Sequence, residues 1–238
     1  MSDPTRSESS TPLIVAIDGP AAAGKSTIAS LLARRLGLPY LDTGAMYRAL
    51  AWLALGEGIS PPIGGADAPR VAGLLDCHRL ELEAADNGLR VLVDGRELGE
   101  EIRTPEVAMM ASAVSALPEV RRRLVAAQRE LGLRSGGVME GRDITSVVFP
   151  DARLRVFLTA SPEERARRRH RDLGGAAAPS LDEVRRQQQQ RDLQDTTRVD
   201  SPLHVARGVI VIDTTGQSPE SVVRRLLDEL GQVAAPGA

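Results

Sequence analysis

The sequence predicts an α/β protein: a parallel core sheet flanked by helices, with a small antiparallel β insertion. Three observations carry this. The run "LIVAID", Leu13 to Asp18, is continuously apolar and of strand length, which suits a strand buried on both faces. A glycine-rich turn, an amphipathic segment and a second short apolar run follow, the order that opens a βαβ unit. From His78 to Leu98 apolar and polar residues alternate around turn signals, the texture of a hairpin.

Taken in order, "KSTIASLLARRLG" places Ile28, Leu31, Leu32 and Leu36 on one helical stripe, with Gly37 as its stop. "LPYLDTG" reads as a short strand ending at Asp42, and "DTGAMYRALAWLALGEG" as an apolar helix stopping near Gly56 to Gly58. The Pro/Gly-rich "ISPPIGGADAP" reads as a loop. In the hairpin, Leu80 and Leu82 precede an Asn87–Gly88 turn, and Leu89, Val91 and Val93 follow it. A second turn at Asp94–Gly95 adds a third strand. Helices are expected between Thr104 and Leu133, and core strands in "GGVMEGRDI" and "ARLRVFLTA". Two polar helices, in "SPEERARRRHRDLGG" and "SLDEVRRQQQQRDLQD", flank a Gly/Ala loop. "GVIVIDTTG" is a last buried strand. "SPESVVRRLLDELGQV" closes the chain as an amphipathic helix, with Ser218 as N-cap and Pro219 at its first position.

At 238 residues and 42% hydrophobic, the chain can bury a substantial core, built mostly of aliphatic side chains because aromatics are only 2%. A net charge of −2 argues against a nucleic-acid binder with a basic surface, while leaving room for a small anionic ligand held by local arginines. The single cysteine, Cys77, rules out an internal disulfide framework, and His78, His170 and His204 make no zinc pattern with it. A reducing, cytoplasmic setting is expected. No apolar run is long enough to span a bilayer. "MSDPTRSESSTP" lacks the apolar region of a targeting signal and is expected to be a disordered tail.

The chemistry enters at "GPAAAGKST". Gly19, Gly24, Lys25 and Ser26 fit the G-x-x-x-x-G-K-[ST] phosphate loop, and the motif lies between an apolar strand and an amphipathic helix, the context it requires. The glycines of Gly19–Pro20–Ala21–Ala22–Ala23–Gly24 let backbone N–H groups approach a polyanion, and the helix start adds unpaired amides and its dipole. Lys25 supplies a compact charge to the β- and γ-phosphates, and Ser26, followed by Thr27, offers a hydroxyl to Mg²⁺. Lys25 is also the only lysine among 30 basic residues. A chain that uses arginine everywhere else has lysine where the motif demands it.

Two classes of triphosphate user compete: a phosphotransferase with a small acceptor, and a nucleotide switch or motor. The guanine-reading N/T-K-x-D motif needs a second lysine and is therefore absent. A regulatory ATP-binding module without transfer remains open. The arginine groupings favour a second, anionic small ligand.

Here a family resemblance becomes specific. "IDGPAAAGKST", "LDTGAMYRAL", "GEEIRTPEVAMMASAVSALPEVR", "EGRDITSVVFPDA", "SPEERARRR" and "RDLQDTTRVDSPL" follow one another in the order of the bacterial cytidylate kinases, a family of P-loop nucleoside-monophosphate kinases. The resemblance runs from about Leu13 to the closing helix. It implies transfer of the γ-phosphoryl group of ATP to CMP or dCMP with Mg²⁺, and small-molecule partners only. A monomer is expected. It also implies a division into a core (13–42, 104–160, 205–238), an acceptor-binding region with the β insertion (43–103), and a short helical lid with acceptor-phosphate helices (161–204).

Matched position by position, the resemblance implies that Thr43 and Arg48 face the acceptor nucleotide, Arg48 on its phosphate. Ser112, Arg121 and Asp143 would read the cytosine edge. Arg142, Arg191 and Arg198 would bind phosphate, and Asp195 the ribose hydroxyls. Arg165, Arg168 and Arg169 fall in the lid, with Arg168 counted beside Lys25, Arg142 and Arg191 as catalytic. The residue types suit these roles, since guanidinium forks match phosphate oxygens and a carboxylate accepts from the cytosine amino group. The chain departs from the family after "GRDI", where Thr145–Ser146 replaces Gly-Thr and raises the question of whether Thr145 must adopt positive φ. Glu140 is a candidate contact to magnesium-bound water. Asp42 reads equally as a helix N-cap or a magnesium neighbour, and Tyr47 and Trp52 read as core. Of the run Arg121–Arg122–Arg123, two are expected on the surface.

Overall fold

A computed structural model describes residues 12–85, 88–174 and 179–234. The expected N-terminal tail up to residue 11, Asn87 of the hairpin turn and residues 175–178 of the Gly/Ala loop lie outside the described residues. The core is a five-stranded, all-parallel sheet in the order β2-β6-β1-β7-β8. Its strands are β1 (Ile14–Asp18), β2 (Tyr40–Asp42), β6 (Gly137–Gly141), β7 (Leu154–Thr159) and β8 (Ile210–Asp213). β1 is central, and its continuous apolar run is explained by the two cores it separates. Val15 and Ile17 pack with α1 (Lys25–Leu36) and α8 (Pro219–Ala234); Ile14 and Ala16 face α5 (Pro118–Ser135). Alternate side chains of a strand point to opposite faces, so both sets had to be apolar.

A third cluster forms away from that sheet. It joins α2 (Gly44–Gly56), α3 (Asp67–Cys77), α4 (Pro105–Val114) and the start of α5 to an antiparallel sheet β3-β4-β5. The strands are Leu80–Ala85, Gly88–Val93 and Arg96–Leu98, with the second turn carried by Asp94 and Gly95, both at positive φ. The predicted three-stranded insertion is present. One element differs: the expected loop over residues 59–69 is cut short at Asp67, where α3 begins. Pro69 falls in the first helical turn, where its missing N–H leaves nothing unbonded. Val71, Ala72 and Leu74 then bury one face.

The two polar helices are α6 (Pro162–Asp172) and α7 (Leu181–Thr197). Ser161 and Ser180 cap them, each accepting from the third residue on, and Ser218 accepts from Ser221 N in the same way. No helix among the described residues is long and apolar enough to cross a membrane.

Gly19 sets the exit from β1. Its φ is +152°, and a Cβ there would stand 2.1 Å from the carbonyl oxygen of Leu158 on β7. Backbone cannot yield as a side-chain tip can. Gly19→Ala is therefore expected to cost about 2–5 kcal/mol of unfolding free energy, combining strain with overpacking. Denaturant unfolding of the variant beside the parent measures it, and an unchanged midpoint would contradict this account of the turn.

Candidate active site

The functional residues gather at the carboxyl ends of the parallel strands, where open α/β sheets form their binding crevice. A cleft of about 860 Å³ opens there. Of the residues singled out from sequence it is lined by Ala21, Ala22, Gly24, Lys25, Ser26, Thr27, Thr43, Arg48, Ser112, Arg121, Arg142, Asp143, Arg168, Arg191, Asp195 and Arg198. Gly19, Pro20 and Ala23 do not line it, and Ala23 turns its side chain into the core beneath the loop.

The glycine loop is held open by its backbone. Gly24 takes φ 90° at the N-cap of α1, and no side chain caps that helix start. Its orphan amides remain directed at the cleft. Lys25 is buried, and its Nζ donates to Pro20 O at 2.9 Å. Burial, followed by the positive charges of Arg142 and Arg191, pushes the Lys25 amine down to about 7, with Glu140 opposing.

Three of the cleft arginines, Arg48, Arg121 and Arg142, are oriented by carboxylates. The Arg48 Nη2 donates to Asp42 Oδ2 at 2.7 Å. Asp42 is thus a helix-entry anchor for Arg48 rather than an N-cap; Thr43 occupies the cap position and turns its hydroxyl to Glu140 O at 2.7 Å. Burial opposes ionisation of Asp42, but Arg48 holds its carboxyl below the usual range. Arg142 does not pair with its neighbour Asp143: its Nε donates to Asp195 Oδ2 at 2.8 Å, while Arg121 makes a short, buried ion pair with Asp143. Burial would raise the Asp195 carboxyl, but Arg142 and Arg191 hold it low. Arg191 and Asp195, four residues apart, share one face of α7, and Arg198 follows as the residue that ends the helix.

Several donors are left over. Arg48 Nε, Arg191 Nε and Arg198 Nη2 are buried without a hydrogen-bond partner among the described residues. A buried guanidinium nitrogen without an acceptor is costly, and an anion entering the cleft supplies one. Arg191 carries the largest excess: burial and the charge of Arg142 lower it to about 10.

The lid arginines part company. Arg165 is buried and committed to Asp192 at 2.7 Å, with further bonds to Ala160 O and Ala21 O, and it does not line the cleft. Arg168 lines it above Gly24 but is tethered to Glu164 and to both oxygens of Thr214. Arg169 also lines the cleft. Ser112 donates to Gln194 Oε1 across to α7 at 3.0 Å. Tyr47 packs on the α2 core and also lines the cleft, with the Arg121 guanidinium 6.0 Å from its ring centroid. Trp52 is core, under Arg96. Of the arginine run, Arg122 and Arg123 engage Glu119 on the outer side of α5.

Sequence reasoning missed Asp18, Tyr40 and Thr214. Asp18 is fully buried at the end of β1 and accepts from Ile144 N, Thr145 N and Thr145 Oγ1. An aspartate ending an apolar strand was the available signal. Tyr40 donates a short bond to Glu140 Oε1, and Glu140 is raised by burial and by Asp42. Thr214 joins the glycine loop to β8 through Ala23 O. Thr145 needs no positive φ, since among described non-glycines only Ala22, Asp94 and Ser201 adopt it. It sits in a π-turn, Ile144–Val148, whose wider spacing accommodates a side chain.

For magnesium, the donor set is one exposed hydroxyl, Ser26, close to the carboxylates of Glu140 and Asp42. This matches a cation that keeps its waters and leans on nucleotide phosphates. Among the described residues no cluster of three or more His, Cys, Asp or Glu forms a metal cage.

Comparison with known proteins gives consistent results. The cytidylate kinase family profile matches residues 15–232. A cytidylate kinase of Carboxydothermus hydrogenoformans is 46% identical over 219 residues, covering 92% of this chain and 97% of that protein. One from Desulfitobacterium hafniense is 48% identical over 216 residues, covering 90% and 91%. A bifunctional pantoate ligase/cytidylate kinase of Prochlorococcus marinus is 48% identical over 218 residues, 90% of this chain and 44% of that larger protein. A solved structure of an uncharacterized protein from Eubacterium ventriosum shares the fold, with a TM-score of 0.53 at 11% identity over 92% of this chain and 98% of its own.

Lys25 yields a test of the cleft's electrostatics. With the Lys25 amine brought down to about 7, a triphosphate beside it would raise its affinity for the proton, so ATP binding at pH 8 is expected to take up roughly one proton. Calorimetry in buffers of different ionisation enthalpy reads this directly. Binding should weaken as pH climbs above 7, and Lys25→Met should abolish the uptake. Equal uptake in that variant would place the proton elsewhere.

Proposed function

The chain belongs to the cytidylate kinase family, and on that premise we propose that it transfers the γ-phosphoryl group of ATP to CMP or dCMP, giving ADP and CDP or dCDP. The observation that carries the reading is the union in one cleft of a phosphate loop with arginines whose buried nitrogens lack acceptors. Two polyanions meet there, and catalysis is mainly charge neutralisation and in-line positioning.

In this reading the backbone amides of residues 19–25 and the helix start cradle the donor phosphates, with Lys25 on the β- and γ-groups. Arg48, Arg142, Arg191 and Arg198 take the acceptor phosphate. An oxygen of that phosphate, already ionised, attacks the γ-phosphorus as the bond to the bridging β–γ oxygen breaks, and ADP departs. No general base or covalent nucleophile is required. Arg168 or Arg169 meets the transferring group; Arg168 must first exchange its bonds to Thr214, whereas Arg165 serves α6–α7 packing. Magnesium, held by Ser26 and the donor phosphates, would neutralise charge on the β- and γ-oxygens.

The base is read by Asp143, which accepts from the cytosine amino group. Arg121, buried and paired with Asp143, keeps that carboxylate aimed, and Ser112 offers a hydroxyl. Asp195 keeps Arg142 in place and presents its free oxygen to the ribose. The lone cysteine suits a reducing cytoplasm.

An ADP-release assay across CMP, dCMP, UMP and AMP should give turnover chiefly with the cytosine nucleotides. Another preferred acceptor would overturn the base assignment, and ATP binding without any acceptor turnover would favour a binding module. Asp143→Asn is expected to weaken kcat/KM for CMP by about 1–3 kcal/mol while sparing ATP affinity. Lys25→Arg keeps the charge but should impair turnover, because a planar fork does not fit a site shaped for an ammonium. Near-parental kcat in that variant would refute the point-charge role.

A further inference from the structure

Asp18 ends β1 in register with Gly141 of β6, and the next residue begins the glycine loop. Its carboxylate leaves its own strand to hold a different element. Oδ1 accepts from Ile144 N at 2.8 Å; Oδ2 accepts from Thr145 N at 2.8 Å and from Thr145 Oγ1 at 2.6 Å. Asp18 and Thr145 are both fully buried. The turn needs this partner. Val147 N and Val148 N both bond to Asp143 O, which leaves the first two amides of the turn without backbone acceptors. Directly before those amides stand Arg142 and Asp143, one bonded to Asp195 and the other paired with Arg121.

We propose that Thr145 is a positioning residue for the acceptor base: its hydroxyl, bonded to Asp18, fixes the turn that aims Asp143 relative to the phosphate loop. The inference rests on the reading of Asp143 as the base contact. The amide bonds alone tether the backbone at two points. The hydroxyl is a third bond to the same carboxyl group, excluded from water, and so restricts rotation of the turn about the other two. Glycine, which the family resemblance leads one to expect at this position, would leave Asp18 with the two amides only. Rotation of that turn swings Asp143 while leaving the residues 19–25 untouched, so the effect falls on acceptor recognition and not on the donor.

The test compares Thr145→Val, Thr145→Gly and Thr145→Ser with the parent, measuring kcat and KM separately for CMP, UMP and ATP. Removing the hydroxyl is expected to raise KM for CMP about tenfold, with KM for ATP within about twofold. The preference for CMP over UMP should shrink, because a looser Asp143 discriminates less. Thr145→Ser restores the hydroxyl and should return KM for CMP to near the parental value. If valine does not fold in so tight a place, the glycine variant carries the same comparison. An unchanged KM for CMP and unchanged CMP preference in the folded variants would overturn the proposal, as would parallel rises in KM for CMP and ATP. A parent enzyme that turns over UMP as well as CMP would overturn the base assignment itself, a failure separable from a selective parent whose variants stay selective.

Discussion

The cleft concentrates positive charge faster than its carboxylates can cancel it, and much of the architecture answers that constraint. Burial and the charge of Arg142 lower the proton affinity of both Lys25 and Arg191, and among the described residues Arg48, Arg191 and Arg198 each keep a nitrogen without an acceptor. Burial strengthens such repulsion, because there is little water to screen it. Arg142 alone ends with its affinity raised, because Asp195 outweighs burial. Phosphate groups entering the cleft would relieve this crowding of positive charge. Side chains that had to be gathered by the ligand would lose binding energy to ordering; these are gathered beforehand.

What gathers them is the parallel sheet. Strands paired in register end at one level, so Asp18, Asp42 and the segment after Gly141 emerge side by side although they are far apart in sequence. From those ends short polar links reach outwards. Thr43 ties β2 to Glu140, Asp18 ties β1 to the π-turn, and Thr214 ties β8 to the glycine loop. Arg142–Asp195 extends the same frame to α7. The carboxylates thus do two jobs: they lower the local charge, and they choose the direction of Arg48, Arg121 and Arg142. Removing one would leave a buried arginine both unpaired and unaimed.

Periodicity and turn chemistry made most of the scaffold legible. β1, α1, the hairpin and the capped closing helix each show local signals strong enough to stand alone, and the phosphate loop is recognisable by motif and by its lone lysine. That Arg48, Arg121, Asp143 and Arg191 share one cleft was legible only through the family resemblance, because they are ordinary charged residues until a fold brings them together. Pairing was less legible still. Arg142 and Asp143 are neighbours, yet each found a partner from a distant helix, since adjacent residues at a strand end point to opposite sides. α3 was hidden because two prolines, a diglycine and then Pro69 outweighed its short apolar stripe. The π-turn has no sequence pattern of its own; it exists because Asp18 satisfies the amides it exposes.

The same repulsion explains why one cation in the cleft is a lysine. A guanidinium stays charged in the folded protein under nearly all conditions, so an arginine at position 25 would keep the full repulsion with Arg142 and Arg191. Burial and those two charges bring the Lys25 amine down to about 7, so a lysine there carries that repulsion less firmly than an arginine would. Lys25 is also the cation packed most closely under the glycine loop, bonded to Pro20 O, where the bulk of a fork would displace the amides that cradle the donor. Size and titration favour the same residue, and both depend on the burial that the flanking parallel strands impose.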